Sequence, residues 1–206
     1  MANCEKGLQQ VRDVIAAAHE DCSLLEKLQF YDRWSTQYEE DVSILDYKAP
    51  HLAALALASV CQLNRESKLV LDVACGTGRA AEELQRCGFN LFHGLDGSAG
   101  MLEVAKKKGL YQQLKQNMLG QTQFPYDSGG FVCMTTRCNI SNLRYKAKLE
   151  EEMSSLQNKG LWEQVLIQEV EQWEKATSEK EITHKSDYIP GVIYIYRKML
   201  TPSIVS

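Results

Sequence analysis

The sequence predicts an α/β fold with a mostly parallel sheet, and three observations support this prediction. An apolar, β-branched run at 68–74 predicts a buried strand, and it ends in a glycine-rich turn that contains Gly76 and Gly78. Residues 77–87 then show helical spacing of small and apolar residues. A second apolar run at 91–96 ends on Asp96. A strand–helix–strand unit of this kind is typical of parallel sheets.

Composition favours one globular domain and excludes several functions. The chain has 206 residues with a formal net charge of −4, which argues against binding of nucleic acid. No apolar run approaches the length of a membrane span. Seven cysteines without metal-type spacing predict reduced thiols and no metal site, so we expect a cytoplasmic protein, with nuclear entry left open. We divide the chain into an N-terminal helical cap (1–48), a core (49–200) and a tail (201–206).

Helices dominate the predicted cap. Residues 4–20 have apolar side chains at helical spacing, and a second short helix is predicted at 21–30 with Ser23 as a candidate N-cap. Three aromatic residues then recur at intervals of three and four, which indicates one face of a helix or turn. These aromatic residues are Tyr31, Trp34 and Tyr38.

The core is predicted to contain further helices and six strands. A helix begins at Ala49-Pro50, and another, at 99–108, has Ser98 as a plausible N-cap. A long helix is predicted to end near Asn158, and we expect a charged loop at 174–187. The strands after the first two are predicted at 111–116, 131–136, within 164–173, and at 192–197.

The glycine-rich turn and Asp96 together predict a crevice that binds a nucleoside. Glycines let a ligand approach the backbone, and an acid at the end of the second strand accepts hydrogen bonds from ribose hydroxyls. The spacing Gly76-x-Gly78-x-x-Ala81 also fits a dinucleotide fingerprint. Spacing alone therefore leaves the ligand open, and a nicotinamide dinucleotide stays an alternative.

The residues around the turn resemble class I S-adenosylmethionine (SAM) dependent methyltransferases. The string 71–78, Leu-Asp-Val-Ala-Cys-Gly-Thr-Gly, resembles motif I of that family, and 95–102 resembles its next block. The segments 31–34 and 38–41 resemble the N-terminal cap of a methyltransferase-like branch. The resemblance extends to Thr135-Thr136-Arg137 and to 142–145, so it covers most of the chain.

The resemblance implies SAM as the cofactor and suggests which residues bind it. SAM carries a cationic sulfonium, which suits an acidic crevice. The resemblance implies that aromatic cap residues form a lid over the methionine end, and that the loop after the third strand lies beside the adenine. The implied cofactor-binding residues are Trp34, Tyr38, Asp72, Gly76, Thr77, Gly78, Asp96, Gly97, Ser98, Asn117 and Met118.

One strand of the family's sheet has no counterpart in this sequence. The family fold has seven strands, the last of them antiparallel, whereas we count six. The link 117–130 is too short for a fourth strand and its helix, which indicates an internal deletion, as in a splice variant. We therefore predict a truncated Rossmann-like methyltransferase fold, mostly parallel with an antiparallel C-terminal strand. We expect 131–136 to move beside the first strand, where strand four would pair.

The deletion leads to a specific functional expectation. The chain is predicted to be a methyltransferase-family member that binds SAM weakly or not at all and is catalytically impaired, and whether it is an enzyme stays open. The alternative is an active SAM-dependent methyltransferase that acts on a small molecule or protein. No catalytic residue can be named, because the four histidines are scattered. Residues that would shape an acceptor pocket are missing, so the substrate is unknown; the only expected partner is the small-molecule cofactor, and we expect a monomer.

Overall fold

The computed structural model describes residues 7–18, 23–118, 129–177, 181 and 186–199, and these form two three-stranded sheets with seven α-helices. The predictions for residues 4–6, 19–22, 119–128 and the tail lie outside the described residues. The strands are β1 (Leu69–Val73), β2 (Leu91–Asp96), β3 (Gln113–Gln116), β4 (Phe131–Arg137), β5 (Trp162–Lys175) and β6 (Tyr188–Lys198). The helices are α1 (Leu8–Ala18), α2 (Leu24–Trp34), α3 (Tyr38–Ile44), α4 (Ala49–Val60), α5 (Arg79–Arg86), α6 (Ala99–Lys107) and α7 (Leu143–Asn158).

The first sheet is parallel and has the order β1-β2-β3. Asp72 on β1 lies opposite Gly94 on β2, and Asp96 lies opposite Gln116 on β3. The carboxyl ends of all three strands therefore meet at one edge of the sheet. This arrangement confirms the predicted strand–helix–strand unit, with α5 between β1 and β2.

The second sheet is antiparallel and has the order β4-β6-β5. Its central strand β6 is paired on both edges, and Ile193, Tyr194 and Ile195 have no exposed surface. Gly191 on β6 lets the indole of Trp173 approach, because a Cβ atom there would lie 2.1 Å from the ring. The predicted antiparallel C-terminal strand is confirmed.

The prediction that 131–136 pairs with the first strand is wrong. β4 keeps a continuous antiparallel ladder with β6, from Phe131 opposite Arg197 to Arg137 opposite Gly191. In the part of the chain that the structure describes, the other edge of β4 forms no ladder with β1, so the two strands belong to separate sheets. Within the described residues β1 therefore pairs only with β2, and its end residues Leu69 and Val73 are 47% and 37% exposed.

Helix α4 joins the two sheets. Ala54 and Ala58 pack with Phe92 in the core of the parallel sheet. Ala49 and Ala56 pack with Trp173 and Ile193 against the antiparallel sheet. Small side chains on two faces of α4 let both sheets pack closely against it. The helix therefore connects the two sheets by side-chain packing, since no described strand pairs with both.

The predicted helix caps are confirmed, whereas the predicted start of the charged loop is wrong. Ser23 caps α2 with a complete capping box, and Ser98 caps α6 by accepting a hydrogen bond from the Met101 amide, as predicted. The charged loop expected from residue 174 begins later, because β5 continues through Lys175 and Glu174 is buried. No helix among the described residues is long and apolar enough to cross a membrane.

Candidate functional site

The glycine-rich turn after β1 leaves its backbone open to a ligand. Ala74, Gly76 and Gly78 all have positive φ angles, of 58°, 55° and 88°. No atom lies within 4 Å of where a Gly76 Cβ atom would stand, so the turn faces open space. Gly78 directly precedes α5, and the buried Thr77 lies between the two glycines. The geometry suits the close approach of a nucleoside.

Asp96 holds this turn against the end of β2. Its Oδ2 accepts a hydrogen bond of 2.8 Å from the Gly76 amide, and its Oδ1 accepts one of 2.8 Å from the Ser98 amide. A carboxylate has about four lone-pair sites, so each oxygen keeps capacity for another donor. The residues present therefore fit a ribose, whose hydroxyls are donors.

Asp72 has a partner that the sequence did not reveal. Tyr111, which precedes β3, donates a hydrogen bond of 2.7 Å from its hydroxyl to Asp72 Oδ2. Its ring packs against Gly78 and Gly94, where a Cβ atom would lie 3.1 Å and 2.8 Å from ring atoms. Burial raises the pKa of Asp72, the Tyr111 hydroxyl opposes this, and the charge of Asp96 adds to it. Tyr111 therefore fixes the position of a second carboxylate, Asp72, on β1 just before the turn.

The cap is attached to the core by an acid that the sequence analysis gave no role. Asp32 on α2 accepts hydrogen bonds from the Ser98 hydroxyl, at 2.5 Å, and from the Gly100 amide, at 2.9 Å. A Cβ atom on Gly100 would lie 2.6 Å from the Asp32 carbonyl oxygen. Because the partners are 66 residues apart, local spacing carries no signal of the contact.

The two aromatic cap residues lie near the start of α5. Trp34 donates a hydrogen bond of 2.7 Å to the buried Asp41, and its ring meets Tyr38 edge-on, with centroids 4.9 Å apart. The two residues belong to two helices, α2 and α3, joined by a turn, and not to one helical face. Burial raises the pKa of Tyr38, and the nearby charge of Arg79, the first residue of α5, opposes this.

The remaining predicted residues directly follow the carboxyl ends of β2 and β3. The Asn117 amide donates a hydrogen bond of 2.9 Å to the Asp96 carbonyl oxygen. Met118 and Leu28 pack over Gly97, whose missing Cβ atom would lie 2.8 Å from each side chain. All eleven residues therefore lie around the carboxyl ends of β1 and β2 or on the cap beside them, and their contact with a cofactor stays a prediction.

A cavity of about 330 Å³ lies between the cap and the antiparallel sheet. Its walls include Tyr31, Trp34 and Tyr38 from the cap and Trp173 from β5. Tyr31 lines the cavity and directly precedes Asp32, whose carboxylate bonds to Ser98 beside Asp96, so the cavity adjoins the crevice at this point of α2. A cavity here is a finding that the sequence analysis did not predict.

A buried ion pair forms one wall of the cavity. Arg137, at the end of β4, bonds through Nε to the Glu174 carboxylate on β5. Burial raises the pKa of Glu174, and Arg137 opposes this. Burial disfavours charged Arg137, but Glu174 outweighs it and raises the pKa of Arg137. The sequence analysis did not predict this ion pair. It gave Arg137 no role beyond the resemblance of residues 135–137 to the family, and it assigned Glu174 to a loop.

The parallel sheet, the glycine-rich turn and the acid that ends β2 define a Rossmann-like methyltransferase fold. Residues 70–160 match the family described as "Methyltransferase domain". The chain is 42% identical to the human protein Methyltransferase-like protein 27 over 194 residues, which covers 79% of this chain and 79% of that protein. This chain therefore belongs to the methyltransferase family.

Solved structures show the same fold at low sequence identity. A SAM-dependent methyltransferase from Clostridium acetobutylicum is 13% identical, with a TM-score of 0.52 over 82% of this chain and 99% of its own. A chain in the complex between the Haloferax volcanii Trm112 methyltransferase activator and a methyltransferase is 12% identical, with a TM-score of 0.56 over 83% of this chain and 96% of its own.

Proposed function

We propose that this chain is a methyltransferase-family protein that binds SAM in the crevice between β1 and β2, with low affinity. The observation that supports this is the convergence of the open Gly76 turn on the Asp96 carboxylate. The Asp96 oxygens would receive the ribose hydroxyls, and Asn117 and Met118 would flank the base. When bound, SAM supplies an electrophilic methyl group on its sulfonium.

Low affinity follows from the open edge of β1. Ligand sites bury most of their ligand, and in the described residues no strand continues the sheet beyond β1. Loss of one wall costs a factor of roughly 100 in affinity if about 3 kcal/mol of contact is lost.

Methyl transfer is also impaired in this proposal. The step depends mainly on alignment of the acceptor with the sulfonium methyl, and a misplacement of about 1 Å costs about 100-fold in rate. An open flank leaves the cofactor less constrained. The alternative is an active methyltransferase with a small-molecule acceptor, and the cavity under the cap is the observation that favours it.

The experiment is a titration of SAM followed by amide chemical shifts, with NAD as the competing ligand. We expect a Kd of about 0.1–1 mM for SAM, with shifts at Gly76, Gly78 and Asp96, and no shifts there with NAD. A micromolar Kd would favour the active alternative. A dispersed spectrum without binding at millimolar SAM would reject the cofactor site and leave a fold without this activity.

Asp96→Ala tests the site within this titration. The substitution removes a charged acceptor of the ribose hydroxyls and of two loop amides, so we expect SAM affinity to fall at least tenfold. Glu66→Ala is the control, because Glu66 is an exposed acid just before the opposite end of β1. Equal affinity in Asp96→Ala and wild type would contradict the assignment.

A further inference from the structure

The cavity presents a cation more openly than an anion. The Arg137 side chain is 26% exposed, whereas the Glu174 side chain that partners it is 2% exposed. A ligand in the cavity therefore meets the guanidinium edge more readily than the carboxylate. A guanidinium only donates hydrogen bonds, and the ion pair with Glu174 is made through Nε. Guanidinium groups bind carboxylates well because the two planar groups match in geometry.

Hydroxyl groups add further donors around this cation. Tyr31, Tyr38 and Tyr47 line the cavity, and none of the three hydroxyls bonds to another described residue. Burial raises the pKa of Tyr47 to about 12 and also raises the pKa of Tyr31 and Tyr38, so all three stay protonated at neutral pH. The Thr136 hydroxyl accepts from Asn142 and keeps its own proton for a ligand.

No side chain in the cavity is suited to remove a proton from an acceptor. The described lining contains no histidine, lysine or cysteine, and its one carboxylate, Glu174, is held by Arg137. A phenol with a raised pKa is a donor and not a base. An acceptor in this cavity must therefore already be a nucleophile at neutral pH.

We infer that the cavity binds a small molecule that carries a carboxylate, and that this carboxylate is the methyl acceptor. Arg137, the tyrosine hydroxyls and Thr136 supply donors for its oxygens, while the rings of Trp34 and Trp173 contact its apolar part. The inference rests on the proposed function, because the methyl group comes from SAM in the adjacent crevice. Tyr31 lines this cavity, and the adjacent Asp32 bonds to Ser98 in the crevice.

The reaction balances without a base. A carboxylate oxygen attacks the sulfonium methyl carbon, so that an O–C bond forms while the S–C bond breaks and its electron pair stays on sulfur. The anionic carboxylate and the cationic sulfonium become a neutral methyl ester and a neutral thioether. No proton moves, which agrees with a cavity of donors, and the residues contribute by positioning.

The test uses benzoate as the probe and benzamide as its neutral isostere, without SAM. Amide and indole shifts of the whole chain report binding. We expect benzoate to shift Arg137, Asn142 and the Trp173 indole, and to bind at least tenfold more tightly than benzamide. Equal affinity for the two probes, tighter binding of benzylamine, or shifts confined to residues outside the cavity would overturn the inference.

Variants separate recognition from folding. Arg137→Lys keeps a cation for Glu174 but loses the planar fork, so we expect benzoate affinity to fall at least fivefold while benzamide affinity is unchanged. Tyr47→Phe removes one donor without touching the ion pair, and we expect a smaller loss in the same direction. The control is Arg197→Lys, since Arg197 forms an exposed ion pair with Glu163 outside the cavity. Unchanged benzoate affinity in both cavity variants would reject the assignment.

The two proposals fail in different experiments. If SAM does not bind but benzoate does, with the expected dependence on Arg137, the cofactor site fails and the carboxylate pocket stands. If SAM binds but benzoate binds no better than benzamide, only the acceptor class fails. When both ligands bind, mass spectrometry after a long incubation should detect methyl benzoate even from an impaired site. Formation of the demethylated cofactor without the ester would contradict the carboxylate as acceptor, and formation of neither would reject methyl transfer by this chain.

Discussion

The two sheets of this protein differ in how their strands are buried and paired. The central strand β6 of the antiparallel sheet pairs on both edges, and its residues from Val192 to Tyr196 are buried. Strand β1 of the parallel sheet pairs on one edge within the described residues and has no buried residue. The proposed cofactor crevice therefore lies on the less buried parallel sheet, while the cavity borders the more deeply buried antiparallel sheet.

This difference shows how fold and function are distributed. A glycine-rich turn must keep its backbone open, so the element that carries it contributes few side-chain contacts. Stability must then come from other parts, here from β6, Trp173 and α4. A ligand that binds the parallel half would stabilise the region that is weakest by itself, because ligand binding to the folded state adds to the free energy of unfolding.

Truncation of one apolar side chain in each sheet should give the largest difference in the free energy of unfolding. Ile193→Ala on β6 removes a side chain with no exposed surface, and we expect the free energy of unfolding to fall by about 3–4 kcal/mol. Leu69→Ala on β1 should cost less than about 1 kcal/mol, because Leu69 is 47% exposed. Denaturant unfolding measures both values. Equal costs would mean that β1 is covered as well as β6.

The contrast between the sheets also separates what could be predicted from the sequence. The turn at 74–78 and the Ser23 and Ser98 caps were predicted because their signals are local: glycine conformation and hydroxyls at fixed distances from a helix start. The position of β4 was predicted wrongly, because an unpaired edge on β1 does not specify which strand covers it, and β4 pairs with β6 instead, from residue 131 opposite 197 onward. Pairing between distant segments depends on how the two sheets pack, which the sequence does not show.

The cavity was missed for a related reason. Charged residues usually lie at the surface, so Glu174 in a charged segment was assigned to a loop. Its burial depends on Arg137, which is remote in the sequence and contributes the compensating charge. Buried ion pairs become recognisable when both partners are placed, whereas glycine turns are recognisable alone.

Two tyrosine–carboxylate hydrogen bonds, one half-buried and one more exposed, should differ in their contribution to the free energy of unfolding. Tyr111→Phe leaves the half-buried Asp72 carboxylate without its hydroxyl donor, and we expect a loss of about 2 kcal/mol in the free energy of unfolding. Tyr188→Phe removes a similar bond of 2.6 Å to Asp46, but the Asp46 side chain is 44% exposed and water replaces the donor. That control should lose less than about 0.5 kcal/mol. A larger loss in Tyr188→Phe would contradict the burial argument.

The smallest expected effect depends on pH and concerns the attachment of α7 to the antiparallel sheet. Glu150 accepts hydrogen bonds of 2.8 Å from Lys146 and from the Tyr194 hydroxyl on β6. The Lys146 bond is the main cause that holds the pKa of Glu150 below its usual 4.5, and the Tyr194 bond adds to it against partial burial. Because the folded pKa is lower than the unfolded one, this contribution is present above about pH 4.5 and disappears as the pH falls through the folded pKa.

Glu150→Gln should therefore cost up to about 1 kcal/mol at pH 7, limited by the 40% exposure of the side chain, and the difference from wild type should shrink toward pH 3. Glu151→Gln is the matched control, because Glu151 is exposed on the same helix. Unfolding curves of the three proteins between pH 3 and 7 measure the effect. A difference that stays constant over this range would mean that the Glu150 charge does not hold α7 against β6, and that this helix is attached by Met153 and its apolar neighbours alone.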